Sequence, residues 1–219
     1  MEDLISTVAI WALPVILAIT LHEAAHGYVA RHFGDPTADL AGRITLNPLK
    51  HIDPVGTILV PGLILAMSTL AGAGGMLFGW AKPVPVNFSR LRRPKADMLW
   101  VAAAGPLANL AMALGWAALL KLAFALPESD YSLPMASMAE AGITINLILM
   151  LLNLIPIPPL DGGRIAVSVL PSALAWKFAR LEPYGFPILI VLLLTGLLGR
   201  ILGPLIGFFS YFLAVIFGF

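Results

Sequence analysis

Hydrophobic residues along this chain run in long unbroken blocks, not in the alternating patterns of half-buried strands or one-sided helices. Leu4–Leu21, Pro54–Ala81, Met98–Leu120, Ala141–Leu160, Pro183–Gly199 and Ile201–Phe219 contain no Asp, Glu, Lys or Arg. About 20 apolar residues make a helix that crosses the ~30 Å hydrocarbon core, so several of these blocks are long enough to span a bilayer. The pattern predicts helices at about 4–31, 98–126 and 138–155, and C-terminal helices within about 184–217. Pro54–Ala81 holds Pro61, Gly62, Gly72, Gly74, Gly75 and Gly79, and this suits a re-entrant or broken element better than a clean span. Pro183–Phe219 as one helix would measure ~55 Å, too long for the bilayer. A break near Arg200, Gly203 and Pro204 is expected there.

Composition agrees with a membrane solvent. Hydrophobic residues make up 59% of the chain and charged residues 11%, against ~25% charged in an ordinary soluble domain. Mean hydropathy is +0.93. A soluble globule would lack polar residues to cover its core, and a disordered chain would not be this apolar. A net charge of +1 gives no electrostatic footprint for nucleic acid, and the absence of cysteine excludes disulfides and thiolate chemistry. Glu2 and Asp3 precede the first block and no small-residue cleavage site follows it, so it is expected to be a retained helix. The expected fold is an all-α polytopic membrane protein with about 4–6 embedded helices and re-entrant or short β-like elements, forming a single unit over 1–219.

Charge asymmetry orients this unit. Lys82, Arg90, Arg92, Arg93 and Lys95 crowd one loop, which the positive-inside rule assigns to the cytoplasm. Glu128, Asp130 and Glu140 follow the next helix with no accompanying base, as on the outer side. The helix after them returns inward to a loop holding Arg164, Lys177 and Arg180.

Against this apolar background, His22-Glu23-Ala24-Ala25-His26 places three ionisable groups at the end of a membrane helix, an expensive arrangement that marks a functional site. Residues i and i+4 share a helix face, so both imidazoles can reach one metal ion. Glu23 lies ~100° around the helix, placed to take a proton from metal-activated water. Zinc suits neutral imidazoles and keeps a position open for water. A third ligand must come from elsewhere. His32 would lie on another face, ~9 Å further along the axis, and Val29 stands where a soluble zincin has its turn glycine. His51 and Asp53 could fold back from a loop. Asp161 is the strongest candidate, a lone carboxylate ending an apolar helix in a Pro/Gly-broken segment.

His22-Glu-Ala-Ala-His26, then Gly105-Pro-Leu-Ala-Asn109, then Asn153-Leu-Ile-Pro-Ile-Pro-Pro-Leu-Asp161-Gly-Gly resembles the site-2 protease family of intramembrane zinc metalloproteases. Gly42–Pro48, His51–Gly56 and Gly79–Asn87 are similar to its compact bacterial branch, without a PDZ or CBS domain. The resemblance implies one zinc per chain on His22, His26 and Asp161, with Glu23 as general base. It also implies that Asn153 and Asn109 position substrate. The expected substrate is a transmembrane protein, cut within or near its membrane segment in a bacterial-type cytoplasmic membrane. The zinc site would lie nearer the cytoplasmic face. A regulatory partner or homo-oligomer is compatible with this reading. Two strand-like stretches, with Ile44, Thr45 and Leu46 in one and Val84 and Val86 in the other, are expected either to pair as a hairpin whose open edge takes up unwound substrate or to form an ordinary interfacial loop. A transporter or ion-binding protein using the same His, Glu and Asp cluster is the alternative.

Overall fold

The computed structural model describes residues 2–60, 63, 79 and 81–219. The element expected over 54–81 lies for the most part outside the described residues. Its opening, Pro54–Leu59, is a wide helical turn, started by the Asp53 side chain accepting from the amides of Val55 and Gly56.

Seven helices carry the architecture among the described residues. They are α1 (Glu2–His32), α2 (Pro94–Ala125), α3 (Ser132–Asn153), α4 (Asp161–Val169), α5 (Ser172–Ala179), α6 (Glu182–Leu194) and α7 (Leu197–Phe217). Of these, α1, α2, α3 and α7 are long and apolar enough to cross a membrane. The chain is an all-α polytopic membrane protein. Its exposed apolar side chains, such as Ile5, Val8, Leu122, Phe208, Tyr211 and Phe212, are what a lipid-facing surface requires.

Helix α2 is the hub, packed against α1, α3, α4 and α7. Small buried residues on it (Ala102, Ala104, Gly105, Ala113 and Ala117) let its neighbours approach closely, the way helices associate where lipid removes the hydrophobic driving force. Ala113, Ala117 and Leu120 meet Ile143, Leu147 and Met150 of α3 and Leu198, Leu202 and Leu213 of α7 in one core.

Two sequence expectations change. The C-terminal break falls at Gly196, in the left-handed region at φ 69°, and α7 runs on through Arg200, Gly203 and Pro204. A glycine tolerates that backbone conformation without a Cβ penalty, so the chain turns there. The segment after Asp161, expected as a basic loop, contains α4 and α5.

The hairpin is also absent, since no strand forms among the described residues. Thr45 Oγ1 accepts from the Asn47 amide, and the Asn47 side chain accepts from the Leu49 amide. These local bonds fold 44–46 into bends, an outcome available to Thr and Asn that competes with strand pairing. Residues 82–87 form neither helix nor strand; Pro83 and Pro85 bias Lys82 and Val84 to extended backbone but have no N–H to give a ladder. The two stretches meet instead through a side chain, with Arg43 Nη2 donating to the Lys82 carbonyl at 2.7 Å. The Lys82 amide donates to the His51 carbonyl at 2.9 Å. At the other end, the Asn87 amide donates to the fully buried Asp35 carboxylate at 2.6 Å. This segment is thus fastened at both ends.

Candidate metal centre

Helix α1 presents His22 and His26 on one face, buried at 7% and 9% exposure. Their Nε2 atoms lie 3.1 Å apart. Asp161, the first residue of α4, brings Oδ2 to 3.3 Å from both. These three groups form a set able to hold a metal ion, with all ligand atoms within 4.8 Å of one another.

Proton bookkeeping on the imidazoles shows what the set requires. His26 Nδ1 lies 2.7 Å from the Val101 carbonyl, which can only accept, so Nδ1 carries the proton. His22 Nδ1 lies 2.6 Å from Asn109 Oδ1, whose amide nitrogen is committed to the Ala18 carbonyl, so His22 Nδ1 donates as well. Both Nε2 atoms therefore point lone pairs at each other and at Asp161 Oδ2. That oxygen is buried and has no hydrogen-bond partner. Three acceptors facing one point repel unless a cation lies among them, and an N₂O donor set suits zinc.

Glycines make the approach possible. A Cβ on Gly105 would sit 2.4 Å from His26 Nε2 and 2.6 Å from His22 Nε2. On Gly162 it would meet the Leu154 carbonyl oxygen at 2.3 Å, and on Gly163 the Pro158 nitrogen at 2.3 Å. Only a glycine pair lets the first turn of α4 rest on the 154–158 loop and aim Asp161 back at α1.

A cavity of ≈ 160 Å³ opens beside these ligand atoms, lined also by Glu23, Val84, Val86, Phe88, Asn153 and Arg164. Glu23 is half-buried, and its Oε2 accepts from the Val84 amide at 2.7 Å. Asn153 gives one amide hydrogen to the Leu149 carbonyl at 2.9 Å and has a second to offer the cavity.

Other candidates lie elsewhere. Asn109 is fully buried and does not line the cavity; its Oδ1 meets the His22 imidazole. Ile44, Thr45 and Leu46 do not line the cavity either, and Leu46 is exposed. His51 is buried with Nε2 on the Thr45 carbonyl, Asp53 caps the 54–59 turn, and His32 is exposed with its ring edge on Phe33. Sequence reasoning missed Asn146, which accepts from Asn109 at 2.9 Å, and Arg164, which lies over the Phe88 ring at the cavity. Arg164 was findable, being one turn after Asp161 on the same helix face.

A polytopic helical membrane protein with a buried His, His, Asp constellation beside a glutamate is a metalloenzyme by class. Comparison with known proteins then gives its family. Residues 127–196 match Peptidase family M50. Over 202 residues the chain is 40% identical to a Bacillus subtilis (strain 168) protein named "Putative zinc metalloprotease YwhC", covering 89% of this chain and 84% of that one. It is 30% identical over 200 residues to "Putative zinc metalloprotease Rip2" of Mycolicibacterium smegmatis, covering 91% and 72% respectively. No solved structure matches. The chain belongs to peptidase family M50, the site-2 protease family, and is a zinc metalloprotease.

Proposed function

We propose that this protease hydrolyses peptide bonds within or near the transmembrane segments of membrane-protein substrates. In this reading His22, His26 and Asp161 hold one zinc ion per chain, and Glu23 is the general base. The observation that carries it is the convergence of three acceptor atoms beside Glu23 in a cavity walled by membrane helices. Zinc bound there supplies Lewis acidity, polarising the scissile carbonyl and making water nucleophilic at neutral pH.

The chain's own residues do the rest. Glu23 takes a proton as the water oxygen bonds to the carbonyl carbon, then delivers it to the leaving amine as the C–N bond breaks. The Val84 amide fixes Oε2 of Glu23, which leaves Oε1 to face the water. The second amide hydrogen of Asn153 is available to the developing oxyanion. Beside them the 83–86 segment offers backbone to an unwound substrate, whose carbonyls a helix would hide.

Depth supports a site nearer the cytoplasmic face. Roughly 15 Å of helix separates His22 from the end of α1, and a similar length separates Gly105 from the start of α2. Both ends adjoin the basic loop around Arg90, Arg92 and Arg93.

Purified protein in detergent, with a generic single-span substrate, tests the reading. Glu23→Gln should abolish cleavage and keep about one zinc per chain by elemental analysis. Substantial cleavage by Glu23→Gln would refute the assignment, and loss of zinc would make Glu23 a ligand instead of a base.

A further inference from the structure

The zinc site proposed above has a buried hydrogen-bond chain behind it that extends one helix further than the imidazoles need. His22 Nδ1 meets Asn109 Oδ1 at 2.6 Å, Asn109 Nδ2 donates to Asn146 Oδ1 at 2.9 Å, and Asn146 Nδ2 donates to the Gly142 carbonyl at 2.8 Å. Asn109 and Asn146 are both 0% exposed. Leu147, also 0% exposed, adjoins Asn146 in sequence.

An amide side chain has two ends, and which end faces which partner is decided by its neighbours. Gly142 is the fixed point. Its main-chain carbonyl can only accept, so the nitrogen of Asn146 must face it and the oxygen of Asn146 must face Asn109. Asn109 must then present its nitrogen to Asn146 and its oxygen to His22. An oxygen there requires the proton on His22 Nδ1, which leaves the Nε2 lone pair aimed at the centre. The other restraint on Asn109 is the Ala18 carbonyl at 3.3 Å, the longest contact in the chain and the weakest by distance.

We infer that Asn146, on α3 and out of reach of both the centre and the cavity, is a positioning residue that sets the tautomer of His22 through Asn109. This rests on the zinc reading for its purpose, but its chemistry is a property of the apo protein. His26 provides an internal reference, because its Nδ1 is held by the Val101 carbonyl on α2 and takes no part in the chain.

The test is side-chain ¹⁵N NMR of the histidines in the full-length apo protein, with zinc affinity measured by chelator competition. There are four histidines in all, so the spectrum is tractable. In wild type, His22 and His26 should both carry the proton on Nδ1. Asn146→Leu, close in size but without the acceptor, should move His22 toward a mixture of tautomers while His26 stays unchanged. Zinc affinity should fall roughly 10-fold, the lower end for a partner behind a ligand histidine. Asn146→Asp keeps an oxygen for Asn109 and, as the neutral acid, a donor for Gly142, so it should restore the His22 signature and affinity within about 3-fold. If Asn146→Leu does not fold, Asn146→Ala adds no bulk and carries the same expectation.

An unchanged His22 in the Leu or Ala variant would overturn the inference. So would equal changes at His22 and His26, or identical behaviour of Asp and Leu. A wild type that binds no zinc, with the selective His22 shift still seen in Asn146→Leu, would sink the metal reading and leave the relay standing.

Discussion

Gly105→Ala tests the geometry of the proposed zinc seat more directly than removing any ligand. The added methyl would lie 2.4 Å from His26 Nε2 and 2.5 Å from His22 Cε1. Carbon and nitrogen in van der Waals contact sit at about 3.5 Å, so each ring must retreat by roughly 1 Å. Neither ring is free to do so, because His22 Nδ1 is tied to Asn109 and His26 Nδ1 to Val101. Zinc sites tolerate ligand displacements of about 0.2 Å, so a 1 Å retreat is roughly five times too large. The methyl itself would occupy the space between the two nitrogens. Zinc affinity should fall at least about 100-fold and cleavage should disappear, with a folding cost of about 1–3 kcal/mol from overpacking. The matched control is Gly115→Ala on the same helix, where a Cβ meets nothing within 4 Å. It should bind zinc normally and gain about 0.5–1 kcal/mol of stability from better helix propensity. Both proteins would be compared by elemental analysis, chelator competition and thermal unfolding in detergent. A Gly105→Ala protein carrying one zinc at wild-type affinity would show that the ligands do not converge in front of α2.

Asp161→Ala should weaken zinc binding by about 100-fold or more while His51→Ala leaves it unchanged, since His51 Nε2 is spent on the Thr45 carbonyl; the opposite pattern would make His51 the third ligand. Val84→Pro removes the amide that holds Glu23 while keeping an extended backbone. Loss of a hydrogen bond to a charged group is worth about 1.5–3 kcal/mol, so kcat should drop about 10- to 100-fold with zinc content intact. Unchanged kcat would show that the Val84 contact does not position the base.

The sequence carried the membrane helices because lipid demands long uncharged blocks, and α1, α2 and α3 interrupt theirs only at a cost. It carried His22, Glu23 and His26 because that cost is concentrated in five residues. Asp161 was legible as a lone carboxylate ending an apolar helix before two glycines, although a helix stop with a solvated Asp would give the same sequence. Asn109 was found as a residue of interest, but residue type does not say which partner it meets, and the partner is His22. Asn146 was invisible for a related reason. One asparagine in an apolar helix satisfies itself on any neighbouring helix, and only the packing of α3 on α2 reveals that this one bonds Asn109. The strand pair misled because Ile44 and Leu46 alternate with polar residues as a strand would, while Thr45 and Asn47 have hydroxyl and amide groups that bond locally. At the C-terminus, Pro204 looked like the stronger breaker, yet Gly196 turns the chain because it adopts positive φ, as Gly199, Gly203 and Gly207 do not.

What unites the legible and the hidden parts is one stripe of α2. Val101, Gly105 and Asn109 are spaced four apart and so share a face. Val101 supplies the carbonyl for His26, Gly105 supplies the missing side chain in front of both rings, and Asn109 supplies the oxygen for His22. Position rises along α1 from His22 to His26 while its partners fall along α2 from Asn109 to Val101, so the helices run antiparallel and their basic-loop ends lie on the same side. None of the three residues contributes a ligand atom, so counting ligands in the sequence passes over them. Each nonetheless fixes a property that a working site needs: which ring nitrogen is free, how closely the rings converge, and how basic they are. In a membrane, where small residues already govern helix approach, one such stripe serves both the packing of α1 on α2 and the aim of its histidines.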